Sequence, residues 1–129
     1  MFGLSKKTDY GMELMISLAK KYRQGPLSLR QIAKQRKLPF KYLEQVVIPL
    51  RESGLIEAKE GKGGGYFLKK PPKKISVAEI VEILEGPVEV GYCAECPKAT
   101  ICGQKDVWAE VGDKIRETIE DKTLADLIR

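Results

Sequence analysis

Apolar residues recur at helical spacing along most of this chain, change character once near its middle, and are cut into units by Gly and Pro. From Ser5 to Tyr22 they fall at Tyr10, Leu14, Ile16, Leu18 and Ala19 with Gly11 the one breaker, which predicts an amphipathic helix ended by Gly25-Pro26. Ser28-Leu29-Arg30-Gln31 has the form of a capping box, Ser28 as N-cap and Gln31 reaching back, so a short helix is expected through Arg36. Leu38-Pro39 makes a turn, and Pro39 suits the start of a third helix. That helix carries Tyr42, Leu43, Val46, Val47 and Leu50 on its buried side and stops at Gly54. Pro49 falls inside it and removes a hydrogen bond, so a kink is expected there.

After Gly54 the helical spacing lapses. Leu55 to Lys59 and Tyr66 to Leu68 read as two short strands around the flexible basic tip EGKGGG, and Pro71-Pro72 closes the unit. Ser76 to Glu79 repeats the capping-box pattern, with Ile75 and Ile80 placed as a hydrophobic staple. The helix it starts carries Val77, Ile80, Val81 and Leu84 and ends at Gly86-Pro87. A cysteine-bearing loop follows. A longer helix then runs from near Lys105 to about Glu120 with Val107, Trp108, Val111, Ile115 and Ile119 apolar, and Thr123 to Asp126 can cap a last turn.

The predicted class is mainly α with a small β-hairpin wing: a winged helix-turn-helix plus a long C-terminal helix, for which the family resemblance described below implies a dimerisation role. Residues 1–74 would form the DNA-binding unit. Residues 75–129 would supply the helix, the cysteine loop and the long C-terminal helix, the two parts making one integrated domain.

Charge sharpens this picture. The overall net of +5 conceals fifteen Lys and Arg against four Asp and Glu between Lys20 and Lys74, and six against twelve from Ile75 onward. A block that basic points to a polyanion, whereas the acidic block does not. No apolar run is long enough to cross a membrane, and the N-terminus lacks a secretory apolar stretch, so a cytoplasmic protein with reduced thiols is expected.

Two short helices at a tight turn followed by a basic hairpin are the parts of a DNA reader whose second helix enters the major groove. Lys41, Tyr42 and Gln45 near the start of that helix are expected to touch base edges or phosphates, and Glu44 could accept from a cytosine amino group. The start of the preceding helix, Ser28 to Arg30, can offer backbone N–H groups to a phosphate. At the wing, Lys59 and Lys62 add charge, and the glycines around Gly64 let backbone lie close to a DNA strand. The plainer reading is that these glycines only make a turn.

Cys93, Cys96 and Cys102 are the chain's full set of thiols, and it contains no histidine. Clustered thiolates suit an iron–sulfur centre or zinc, but three are one short of the usual four ligands. A fourth would have to be a carboxylate, a backbone or external group, or come across a dimer. A structural zinc site, a reversible Cys93–Cys96 disulfide and three reduced thiols without a ligand are the competing readings. Cysteine catalysis needs a positioned base, and no carboxylate pair sits in a hydrolase-like arrangement, so an enzyme is not expected.

Thr8-Asp9-Tyr10-Gly11, Tyr42-Leu43-Glu44-Gln45, Gly54-Leu55-Ile56, Gly63-Gly64-Gly65-Tyr66, the cysteine loop, Trp108 and the closing Thr123 to Leu127 together resemble the Rrf-two family of bacterial transcription regulators over essentially the whole chain. The resemblance implies a homodimer joined through the long helix and a roughly palindromic double-stranded operator. In IscR- and NsrR-like members it also implies an iron–sulfur cluster, 2Fe–2S or 4Fe–4S, that senses redox state, nitric oxide or iron–sulfur status. Its ligands here would be Cys93, Cys96 and Cys102, with Asp9 of the partner subunit in the NsrR manner as the fourth. CymR-like members are implied to lack the cluster and to answer to a partner protein or to thiol oxidation. Two departures stand out. Only two residues separate Cys93 from Cys96 where IscR-like chains have five, and Lys105 occupies the place of their histidine ligand.

Overall fold

Ser5, Ser28 and Ser76 open three helices in the same way, each hydroxyl accepting from the amide three residues on. The computed structural model describes residues 4–90 and 103–128. Helix α1 is Lys6–Lys20, α2 Leu29–Arg36 and α3 Phe40–Glu52. Strands β1 (Ile56–Lys59) and β2 (Gly65–Leu68) follow, then a 3-10 turn at Pro72–Lys74. Helices α4 (Val77–Glu85), α5 (Lys105–Asp121) and α6 (Leu124–Leu127) complete the chain. Mostly helical with one antiparallel hairpin, this is the expected class, and the elements appear in the expected order.

The capping boxes at Ser28 and Ser76 are both formed in full. Gly54 takes φ +85 just past α3, and its amide donates to the Arg51 carbonyl, the left-handed stop that a side chain would resist. Helix α3 runs through Pro49 without ending. The lost bond falls in the penultimate turn, where packing of Val46, Val47 and Leu50 holds the helix on the core.

One apolar cluster spans the whole sequence order. Leu14 and Leu18 of α1 meet Ile32 of α2, Leu43, Val46 and Leu50 of α3, Ile56 and Leu68 of the hairpin, Ile80 and Leu84 of α4, and Leu124 near the C-terminus. Leu124 is fully buried because the chain end is stitched back to the start of α4. The Leu124 amide donates to Ile75 and that of Val77 to Lys122. Gly11, read from sequence as a weak point, lies where α1 crosses α4. A Cβ there would sit 2.3 Å from Leu84 Cδ1.

Helix α5 differs from the rest. Among its seventeen residues only Gly112 is buried, while Val107 is 53% exposed and Trp108, Val111, Ile115 and Ile119 are half-buried. Arg116 ties it to the segment after α4 by donating to the Val88 carbonyl at 2.5 Å.

Candidate nucleic-acid interface

The turn between α2 and α3 is built from three residues. Lys37 adopts the left-handed conformation at φ 56, Leu38 donates its amide to Ala33, and Pro39 stands at the N-cap of α3. Two side-chain ties fix the helix pair from outside. The Arg30 guanidinium lies 4.3 Å from the Phe40 ring centroid, joining the start of α2 to the start of α3. Arg36 reaches Glu13 of α1 at 2.5 Å.

Burial divides α3 into two faces. Leu43, Val46, Val47 and Leu50 point into the core. Lys41, Glu44, Gln45 and Ile48 are exposed, and their spacing of three, four and seven residues makes them one stripe on the opposite side. Three of the four were expected from the sequence. Ile48 was missed, although its position seven residues beyond Lys41 is the signal that would have found it.

Tyr42 is less exposed than the sequence suggests. It is half-buried and packs edge-on against Tyr10, with ring centroids 4.9 Å apart and planes at 86°. Its ring braces α3 on α1. Ser28 is also partly committed. Its amide donates to Gln31 Oε1 at 2.8 Å and its hydroxyl accepts from the Gln31 amide at 3.1 Å. The donors left for a phosphate in the first turn are the amides of Leu29 and Arg30, with the exposed Arg30 side chain beside them.

The wing is anchored at its base. Leu27 and Tyr66 exchange two backbone hydrogen bonds of 2.9 and 2.7 Å, which adds a third short partner to the β1–β2 pair directly before Ser28. Lys59 and Lys62 are exposed, Lys59 opposite Gly65 and Lys62 at the tip. Gly64 has a structural duty, in keeping with the plainer reading of these glycines as turn-formers. A Cβ there would come within 2.1 Å of the Lys59 carbonyl oxygen, so the hairpin itself demands glycine.

Cys93, Cys96 and Cys102 lie outside the described residues. Asp9 is exposed in the first turn of α1. Next to it, Thr8 donates its hydroxyl to Glu85 Oε1 at 2.6 Å, and Ser5 adds its amide at 2.9 Å and its hydroxyl to the same oxygen. These bonds, Ser5 first, hold the Glu85 carboxyl below its ordinary range. Among the described residues no three His, Cys, Asp or Glu side chains gather in a way that could hold a metal ion. None of the described helices is long and apolar enough to cross a membrane.

Residues 4–129 match a family model described as Rrf2, iron-dependent transcriptional regulator. The HTH-type transcriptional regulator CymR of Bacillus subtilis is 38% identical over 96% of this chain and 88% of its own. The solved structure of that CymR, described as the global cysteine regulator, superposes with a TM-score of 0.87 over 99% of this chain and 97% of the other. Staphylococcus aureus CymR is 42% identical with a TM-score of 0.81 over 97% of both chains. The same protein in an oxidised form gives 41% and 0.82, covering 99% of this chain and 97% of that one. T. potens IscR is 35% identical with a TM-score of 0.83, over 98% of this chain and 86% of its own.

Proposed function

Since this chain belongs to the Rrf2 family of transcriptional regulators, we propose that it is a homodimeric, sequence-specific DNA-binding regulator of the cytoplasm, switched at its cysteine segment by thiol chemistry or a partner protein. The observation that carries the DNA reading is the outer stripe of α3, free of core duty and flanked by the capped start of α2 and the basic wing. In this reading α3 enters the major groove and Gln45 and Glu44 face base edges. Lys41 and Lys62 meet phosphates, as do the amides at the start of α2. The relatives are transcriptional regulators, and no enzymatic step is assigned.

The cluster-free switch is supported by the two CymR proteins at 38% and 42% identity and by the oxidised CymR form. The short gap between Cys93 and Cys96, with Lys105 where a histidine ligand would stand, supports it further. A second reading rests on three thiols within ten residues, the iron-dependent description of the family and the exposure of Asp9. Here Cys93, Cys96 and Cys102, with Asp9 of the partner subunit, would hold an iron–sulfur cluster. Such a group supplies reactivity toward oxygen and nitric oxide. Zinc held by the same thiols is the remaining metal candidate.

Anaerobic purification with iron, sulfide and zinc counted per monomer, followed by operator binding before and after mild oxidation, tests the proposal. The expected result is no stoichiometric iron or sulfide, together with binding that changes on oxidation and recovers on reduction. Matched iron and sulfide lost in Cys93→Ala, Cys96→Ala and Cys102→Ala would establish the second reading instead. Binding that does not discriminate among sequences in excess competitor DNA would remove the regulator reading itself.

A further inference from the structure

Ile48 is out of place if α3 is only a scaffold. The residue is 54% exposed at the C-terminal end of a stripe otherwise made of Lys41, Glu44 and Gln45, on the side of α3 opposite the buried Leu43 and Leu50. The other large exposed apolar residues, Leu4, Val107 and Leu127, lie near the chain ends or on α5, and among the described residues Ile48 is the one carried by a helix or strand of the winged unit. A β-branched residue at a solvent-facing helical position forgoes helix propensity and leaves apolar surface in water. A surface apolar group on a helix that fits the major groove has one complementary feature there, the C5-methyl of thymine.

We infer that Ile48 is a specificity-determining residue that reads a thymine methyl by apolar contact, one such contact per half-site. The inference rests on the DNA-reading role proposed above for α3. Geometry also assigns a neighbour. At about 1.5 Å of rise per residue, Ile48 lies about 4.5 Å along the helix from Gln45. That is a little more than the roughly 3.4 Å between successive bases of a strand. The thymine in question therefore adjoins the base pair that Gln45 contacts. Lys41, about 10.5 Å from Ile48 along the helix, falls on the far side of Gln45.

The test uses the full-length homodimer and a duplex selected by it from a random pool. Each thymine is then replaced in turn by deoxyuridine, which removes the methyl and nothing else. The expected result is a loss of about four-fold in affinity at one position per half-site, the effect of one buried carbon. Ile48→Ala, a better helix former, should bind the parent duplex more weakly by a similar factor. It should also be indifferent to deoxyuridine at that position while responding as wild type elsewhere. Wild-type indifference to every deoxyuridine would overturn the inference and leave the DNA reading intact. So would an Ile48→Ala protein that matches wild type on every duplex, which would place Ile48 toward a protein partner. Failure to select any preferred duplex would overturn both.

Discussion

Glu85 shows how much one exposed carboxylate can organise. It stands at the end of α4, yet it takes three hydrogen bonds from Ser5 and Thr8 and so fastens the start of α1, where Asp9 is carried, to the helix that leads into the cysteine segment. The bonds from Ser5 and then Thr8 favour the charged form, and its pKa falls below the ordinary value of 4.5. A carboxylate with a depressed folded pKa contributes stability that is present above its unfolded pKa and lost as pH drops through the folded value. Glu85→Gln should therefore lower the urea midpoint near neutral pH by a small amount, since the group is exposed and screened. The gap from wild type should close as the pH falls below about 4. A gap that persists undiminished in acid would mean that the charge of Glu85 is not what the three donors stabilise. Nothing in the sequence announces this contact, because the partners lie roughly eighty positions apart.

Elements were legible where their causes are local. Both capping boxes, the Gly54 stop and the hairpin depend on residues within a few positions of each other, and all of them formed as the spacing implied. What the spacing could not reveal is approach from elsewhere. Gly11 reads as a flaw in α1 until Leu84 is seen against it, and Tyr42 reads as fully exposed until Tyr10 is seen beside it. The wing shows both sides of this. Its glycines are recognisably a turn, but Gly65 is needed because β2 presses on the Leu27–Ser28 backbone. A Cβ would meet the Leu27 carbonyl oxygen at 2.3 Å, at a φ of +151. Gly65→Ala should break the Leu27–Tyr66 pair, release the wing from the start of α2, and lower both thermal stability and operator affinity. Lys62→Ala should leave stability unchanged and weaken all DNA sequences alike, with the salt dependence of binding reduced by about one unit per subunit. Unequal losses among sequences for Lys62→Ala would move that lysine from the phosphates to the bases.

The assembled molecule has one core that closes well and one helix that does not. Leu124, Ile75 and Ile80 bind the C-terminal segment into the same cluster as Leu14 and Leu43, so the winged unit and the return of the chain end are stabilised together. Helix α5 leaves that cluster and keeps a row of apolar positions, Trp108, Val111, Ile115 and Ile119, only half covered. The sequence displayed this row plainly, and among the described residues α4 and the segment after it cover the row only in part. A seventeen-residue helix gains little stability from propensity alone and relies on packing of its apolar face. In the homodimer proposed above, a second copy of α5 would supply that packing by two-fold symmetry, the same row facing itself. The pairing would also set the distance between the two α3 helices and hence the spacing of half-sites. Ile115→Glu puts a charge in the middle of the row while sparing the core. It should yield a monomer by sedimentation at micromolar concentration, with helix content and the melting of the winged unit nearly unchanged. Operator affinity should fall by about a hundred-fold or more, because two linked half-site contacts become two separate ones. A variant that stays dimeric would place the subunit interface on another face. A monomer with full operator affinity would mean that α5 pairing does not set the spacing at all, and the switch at the cysteine segment would then have to act on α3 within one subunit.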